Sequence, residues 1–228
     1  MTRPLSSAVL LSGGLDSAVL LAEEAARDIV QPIYVSAGLA WEANERDVIA
    51  QLLASPPFAG RTAPLAILSV DMRDVYAATH WALKGQPPAY NTPDEDVYLP
   101  GRNIVLLSKA GVYSAAVGVK RIAIGTLAHN PFPDATPAFR VAMAGALSLG
   151  LDHTIEVDAP YADVEKAEVI RRGVALGVPL ALTLSCMNPP GGARHCGLCS
   201  KCRERHDAFR EAGVKDPTLY IDSRHVGV

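Results

Sequence analysis

Short apolar runs alternate along the chain with longer segments that have helical periodicity. The apolar runs predict strands at residues 8–11, 32–36, 65–70, 121–126 and 153–157. The longer segments predict helices at residues 16–26, 41–54, 73–83, 103–117, 137–149 and 162–176. Continuous apolar runs bounded by turns are typical of strands that a parallel sheet buries on both faces. The alternation therefore predicts an α/β fold with a doubly wound parallel sheet.

Two stretches between these elements have the composition of loops. Residues 86–100 are rich in Pro, Asp and Asn, and residues 128–137 contain three prolines in ten positions. Long loops at the strand ends of such a sheet often carry substrate contacts, but plain connectors have the same composition. Both interpretations stay open from the sequence.

Composition limits the class of protein. The chain has 228 residues, of which 49% are hydrophobic and 20% charged, as in an ordinary globular protein of one large domain with at most a small appendage. The net charge of −3 is not that of a nucleic-acid binder. No apolar run is long enough to span a membrane, and residues 1–4 lead into the first strand without a signal-peptide core. We therefore expect a cytoplasmic protein with no nucleic-acid or membrane partner, and a homodimer stays open.

The stretch after the first apolar run has the features of an anion-binding loop. It reads Leu11-Ser12-Gly13-Gly14-Leu15-Asp16-Ser17 and joins the first strand to the first helix. The glycines let the backbone approach an anion, and the helix N-terminus directs N–H groups at it. The two serines add hydroxyl groups, and the carboxylate can hold Mg²⁺ on a phosphate. No Lys follows the glycines, so the loop is not the type that grips a γ-phosphate. A plain strand–helix turn is the alternative.

All the cysteines lie near the end of the chain. Cys186, Cys196, Cys199 and Cys202 have the spacing C-x9-C-x2-C-x2-C. Four thiolates at such spacing predict a closed, structural zinc site. Disulfides would need an oxidising compartment, and the ferredoxin pattern would continue with x3-C-P. A nucleic-acid-binding zinc knuckle is a further alternative, which the net charge disfavours. His195 is an alternative zinc ligand, but the four cysteines already fill the four positions of a tetrahedral site.

The order of motifs resembles that of a known family. The loop at residues 12–17 resembles the SGGxDS loop of the PP-loop ATP pyrophosphatases. The chain as a whole is similar to the 7-cyano-7-deazaguanine synthase (QueC, also called ExsB) family. The similarity rests on this loop, the motifs at 99–103, 132–134, 166–170 and 177–180, the four cysteines and Arg-Glu-Arg-His-Asp-Ala-Phe at 203–209. The resemblance covers about residues 8 to 220.

The resemblance implies a fold, an activity and cofactors. The fold is the HUP-like sheet of PP-loop ATPases at residues 1–183, with a four-cysteine zinc segment, helix and tail at 184–228 packed on it. The activity is that of an ATP-dependent carbon–nitrogen ligase. ATP adenylates 7-carboxy-7-deazaguanine, ammonia displaces AMP to give the amide, and a second activation gives the nitrile, 7-cyano-7-deazaguanine. The cofactors are ATP, Mg²⁺ and Zn²⁺.

The resemblance also assigns site residues. Asp16, Ser17, Arg102 and Lys166 are expected to be catalytic. ATP is expected at Leu11, Ser12, Gly13, Gly14, Leu15, Asp16, Ser17, Gly101, Arg102 and Gly125, and the carboxylate substrate at Phe132, Asp134 and His129.

Each of these side chains also has a plainer interpretation. Arg102 suits a surface ion pair, Lys166 a solvated helix position, Asp134 a helix cap and His129 a surface loop. Asn103 is expected as the N-cap of the helix it opens. Two further acids, Glu42 and Glu45, are expected on a solvated helix face.

Three segments depart from the family pattern. Ala37-Gly38-Leu39 stands where Tyr-Gly-Gln is usual, Ser185-Cys186-Met187 stands where Ser-Cys-Tyr is usual, and the acidic-aromatic start of the segment at 128–134 is missing. We therefore expect the activating machinery to be kept and the substrate pocket to be altered. The alternatives are the same mechanism on another carboxylate, sulfur transfer to tRNA, and a nucleotide-binding regulator without catalysis.

Overall fold

The sheet has the predicted doubly wound architecture. A computed structural model describes residues 5–225, so the prediction for residues 1–4 lies outside the described part. The strands are β1 (Ser7–Leu10), β2 (Val30–Ser36), β3 (Ala66–Ser69), β4 (Arg121–Ala123) and β5 (Glu156–Asp158). They form one parallel sheet in the order β3-β2-β1-β4-β5. The order reverses beside β1, and ligands of such sheets bind outside the carboxyl ends of the strands at this point.

Helices connect the strands. They are α1 (Leu15–Arg27), α2 (Glu42–Ala54), α3 (Trp81–Lys84), α4 (Arg102–Ala116), α5 (Pro137–Leu151), α6 (Lys166–Ala175) and α7 (Ser200–Ala212). Short 3₁₀ turns occur at Asp94–Val97, Pro133–Ala135 and Leu180–Leu182. No helix within residues 5–225 combines the length and the apolar character that crossing a bilayer requires.

Four of the predicted elements were wrong in extent. The strand expected at 121–126 ends at Ala123, and the helix expected at 162–176 begins at Lys166. The helix expected at 73–83 is reduced to α3, because the carboxylate of Asp71 accepts the backbone N–H of Arg73 and closes a turn there. His80 then caps α3 through its Nδ1, which accepts from the N–H of Ala82 at 3.2 Å. The strand expected at 153–157 begins at Glu156, because α5 runs on to Leu151 and the chain reverses at Asp152, whose φ is +47°.

Alternate strand residues supply two separate hydrophobic layers. Val9 and Tyr34 pack with α1, α6 and α7 on one face of the sheet. Ala8 and Ile33 point to the opposite face and pack with α4 and α5. Because both faces are covered, the central strands are mostly apolar, and their polar residues Ser7 and Gln31 are buried as well. The division of the chain at residue 183 stays a prediction.

Candidate active site

The loop between β1 and α1 requires its glycines. Gly13 has a φ of +76°, and a Cβ there would stand 2.8 Å from Cγ2 of Val48 on α2. A Cβ on Gly14 would stand 3.2 Å from Oγ of Ser12. The loop thus runs directly against α2 before α1 begins, and Asp16 lies in the first turn of α1. This geometry brings backbone N–H groups and a helix N-terminus to the carboxyl end of β1.

The two serines brace this loop. Oγ of Ser17 donates to the carbonyl of Gly14 at 3.1 Å and accepts from the backbone N–H of Ser12 at 3.3 Å. Oγ of Ser12 accepts from the N–H of Gly14 at 3.3 Å. The backbone after β4 also comes close, since a Cβ on Gly125 would lie 3.4 Å from N of Ser17. Gly125 therefore lies beside the first turn of α1.

A second helix N-terminus faces the same place. Helix α4 begins at Arg102, and its N-cap is Gly101, with a φ of +76°. Nε of Arg102 is buried and has no hydrogen-bond partner among residues 5–225. The guanidinium is therefore an unsatisfied donor at the end of a positive helix dipole, which favours an anion.

Asp134 holds the start of α4. Its Oδ2 accepts from the backbone N–H of Asn103 at 3.0 Å, and its carbonyl accepts from Nδ2 of Asn103 at 2.9 Å. The expectation that Asn103 is the N-cap was wrong, because Gly101 occupies that position. The cap expected at Asp134 serves the preceding helix α4, while Thr136 caps the following helix α5.

These features surround one cleft of about 300 Å³ at the carboxyl ends of β1, β2 and β4. Its lining includes the loop residues Leu11, Ser12, Gly14, Asp16 and Ser17, and also Arg102, Gly125, Phe132 and Asp134. The ring of Phe132 stacks on Tyr98, with centroids 5.1 Å apart. A cleft of this size suits a small-molecule ligand.

Some predicted substrate residues lie elsewhere. The side chain of His129 is 85% exposed, and its Nε2 lies 3.0 Å from Oε1 of Glu165. It lines a smaller adjoining cavity of about 160 Å³. Of the departing segments, Ala37, Leu39 and Met187 belong to a separate apolar cluster and do not line the main cleft.

Lys166 lies partly buried beside Asp16. Its Nζ lies 3.1 Å from Oδ2 of Asp16 and 2.5 Å from Oε1 of Glu204, and its side chain is 13% exposed. Burial acts to lower the pKa of Lys166, but the two carboxylates outweigh it and raise the pKa above the usual lysine value. Lys166 therefore stays charged. Oδ1 of Asp16 is buried and has no partner among residues 5–225.

The two acids expected on a solvated face of α2 are buried. Glu42 and Glu45 are 6% and 7% exposed. Glu45 lines the cleft and accepts from the hydroxyl of Tyr34 at 2.8 Å and from Nε1 of Trp41 at 3.0 Å. Burial raises the pKa of Glu45 to about 7, although Arg102 and the bond from Tyr34 act to lower it. The helical spacing of Glu45 with the core residues Val48, Ile49 and Leu52 is a sequence signal for this burial.

The four cysteines converge as predicted. Their Sγ atoms all lie within 4.8 Å of one another, and all four thiols are free. A tetrahedral ion with metal–sulfur bonds of about 2.3 Å places its sulfurs about 3.8 Å apart, so this donor set fits a zinc ion. Cys199 precedes α7 as its N-cap residue, and Cys202 lies in its first turn.

His195 is not a ligand in this arrangement. Its Nδ1 lies 2.9 Å from the carbonyl of Ala193, and its Nε2 accepts from the N–H of Ser185 at 3.0 Å. Both ring nitrogens are therefore used to brace the loop that carries Cys186.

The doubly wound parallel sheet, with a glycine loop after β1 and the cleft at the reversal of strand order, defines a PP-loop α/β protein. The chain belongs to the family described as queuosine biosynthesis protein QueC, which it matches over residues 6–213. The family named from the sequence motifs is thereby confirmed.

Two relatives of this chain carry the same name. A 7-cyano-7-deazaguanine synthase of Azoarcus sp. is 35% identical over 96% of this chain and 99% of its own length. One from Caldicellulosiruptor bescii is 32% identical over 95% of this chain and 97% of its own length. A solved structure from Methanocaldococcus jannaschii, described as a predicted subunit of tRNA methyltransferase, covers 97% of this chain and 94% of its own at 15% identity and a TM-score of 0.47. So distant a likeness says nothing about function.

Proposed function

We propose that the protein is an ATP-dependent ligase that adenylates a carboxylate and converts it with ammonia to an amide and then a nitrile. The observation that carries this proposal is the meeting of two helix N-termini, those of α1 and α4, at one cleft. Two positive helix ends at one place favour a polyanion. The names of the relatives supply the product, 7-cyano-7-deazaguanine. The substrate, 7-carboxy-7-deazaguanine, is the one that the family resemblance implies.

The cleft offers distinct surfaces to the parts of ATP. The loop at 12–17 and Arg102 line the cleft and suit the phosphates, and Lys166 adds a cation behind the cleft-lining Asp16. The apolar part of the lining at Leu10, Ile33 and Val35 suits a flat base. The unpartnered Oδ1 of Asp16 suits a magnesium ion, which would supply charge neutralisation for departing pyrophosphate.

The chemistry consists of two activations. A substrate carboxylate oxygen attacks the α-phosphorus of ATP, and pyrophosphate leaves. Ammonia attacks the acyl carbon, and AMP departs to leave the amide and a proton. The amide oxygen then attacks the α-phosphorus of a second ATP, and a second pyrophosphate leaves. Loss of AMP and of both amide hydrogens as protons leaves the nitrile. Arg102 and Lys166 would stabilise negative charge on the transferring phosphates in both halves.

The rest of the cleft would hold the substrate ring. Phe132, stacked on Tyr98, presents an aromatic surface to a flat heterocycle. The carboxylate of Asp134 is engaged with α4, so it is less free to read the edge of a deazaguanine. This engagement favours a second candidate, the same reaction on a different carboxylate.

The four-cysteine segment would be a structural zinc site on residues 184–228. Four sulfur donors leave no open position for catalysis. Free thiols are typical of the reducing cytoplasm, where we place the reaction.

The deciding experiment is mass spectrometry of products after incubation with ATP, Mg²⁺, ammonium and 7-carboxy-7-deazaguanine. The expected result is the nitrile, with AMP and pyrophosphate. An amide that goes no further would mean that the second activation is missing. No product from a folded, metal-containing protein would contradict the deazaguanine assignment, and pyrophosphate release with another acid would then identify the second candidate.

A further inference from the structure

The first turns of α7 connect the cysteine cluster to three other parts of the molecule. Arg203 follows Cys202 directly, and its guanidinium donates to the carbonyls of Tyr90 and Thr92 at 2.9 and 2.8 Å. Arg205 is fully buried and donates to Oγ1 of Thr183 and to the carbonyl of Leu180, both at 2.8 Å. These two residues tie α7 to the loops that flank it.

Glu204, between these arginines, is linked through Lys166 to the loop at residues 12–17, the proposed phosphate loop. Its Oε1 accepts from Nζ of Lys166 at 2.5 Å, and its Oε2 accepts from Nζ of Lys201. Nζ of Lys166 in turn donates to Oδ2 of Asp16 at 3.1 Å. The contacts form one continuous path from the helix that begins at the cysteine cluster to the first turn of α1.

We propose that Glu204 is a positioning residue that fixes the ammonium of Lys166 beside the phosphate loop. A lysine on a flexible four-carbon stem does not keep one position through a single carboxylate. Its second partner, Glu204, is held on a helix that the cysteine cluster anchors. The ammonium is thereby kept at Oδ2 of Asp16, which leaves Oδ1 of Asp16 turned to other partners. This inference rests on the proposed use of ATP.

The test measures ATP binding directly. The Kd of the magnesium complex of α,β-methylene-ATP is measured by calorimetry for wild type, Glu204→Gln and the control Glu211→Gln, an exposed acid on the same helix. The glutamine at 204 keeps an acceptor oxygen and removes the charge. We expect the affinity to fall at least fivefold in Glu204→Gln and to stay at the wild-type value in the control.

A double-mutant comparison separates positioning from a general structural effect. If Glu204 acts through Lys166, Glu204→Gln causes no further loss of affinity in a Lys166→Met background. Equal losses in both backgrounds, or wild-type affinity in the single variant, would overturn the proposal. Metal content and melting temperature report the integrity of each variant.

Two further outcomes are informative. If Glu204→Gln loses its metal, Glu204→Asp is used, because it keeps the charge but withdraws it by one methylene. Glu204→Asp should weaken ATP-analogue binding less than Glu204→Gln does. Wild-type affinity in Glu204→Asp would refute the inference. If the wild-type chain does not bind the analogue, the proposed use of ATP fails, and this inference fails with it. Binding that is indifferent to residue 204 overturns the inference alone.

Discussion

Replacement of Gly13 by alanine tests how closely the proposed phosphate loop packs against α2. Two separate costs are expected. The φ of +76° costs an L-residue about 1–2 kcal/mol. The new methyl group would stand 2.8 Å from Cγ2 of Val48 and 3.2 Å from Cγ1 of Ile49, both fully buried, and such overpacking costs about 1–3 kcal/mol. Gly13→Ala should therefore lower the free energy of unfolding by about 2–5 kcal/mol.

Gly60 provides a matched control. Its φ is +74°, but nothing lies within 4 Å of the position of its Cβ. Gly60→Ala therefore carries the backbone cost of about 1–2 kcal/mol without the steric one. Both substitutions also restrict the unfolded chain equally, so this effect cancels between them. The difference between the two variants, about 1–3 kcal/mol, measures the packing against α2.

The assay is urea unfolding of wild type and both variants at one pH, with the free energy taken from linear extrapolation. The Kd for an ATP analogue is measured alongside, and it should rise only in Gly13→Ala because only that loop faces the cleft. Equal destabilisation by the two substitutions would refute the reasoning, since it would show that α2 yields to the methyl group at no cost.

Three further changes have defined outcomes. Asp16→Asn should abolish pyrophosphate release and leave the circular dichroism spectrum unchanged, whereas full turnover would contradict its assigned role. Cys199→Ser should lose both solubility and the metal, expected at about one zinc per chain by elemental analysis, and a brown iron–sulfur chromophore in anaerobically purified wild type would contradict zinc. The pKa of Glu45 is raised to about 7, so the native state retains a proton that the unfolded chain releases near pH 4.5. Wild type should therefore lose about 2–3 kcal/mol of stability as the pH rises from about 5 to 8. Glu45→Gln should remove this loss, measured by urea titration at the two pH values. Equal stability of the wild type at both pH values would show that Glu45 is ionised throughout.

The sequence was sufficient for the features that depend on neighbouring residues. The apolar runs predicted the five strands because strands buried on both faces need no polar side chains. The loop at 12–17 was identifiable because glycine at a positive φ and a helix start leave local signals. The cysteines converge because their short spacing restricts where the thiols can go.

Features that depend on distant residues were missed. Asp134 caps the start of α4 through Asn103, which lies 31 residues earlier in the chain. Lys166 meets Asp16 across 150 residues and Glu204 across 38. Glu45 was assigned to solvent because charge usually marks an exposed face, whereas Tyr34 and Trp41 hold it inside. The contacts of Asp134 and Lys166 have no local pattern that would predict them, whereas the burial of Glu45 has a signal in its helical spacing with Val48, Ile49 and Leu52.

The polar atoms left unpaired in the cleft favour one kind of ligand. Oδ1 of Asp16 and Nε of Arg102 are both buried without a hydrogen-bond partner in the described part of the chain. Each such atom costs about 1–3 kcal/mol, so two of them in one cleft are retained at the expense of stability. They are of opposite sign, one a carboxylate oxygen and the other a guanidinium donor. A ligand that presents a cation and an anionic oxygen side by side would satisfy both and match both charges. Magnesium-bound polyphosphate has this pair of charges.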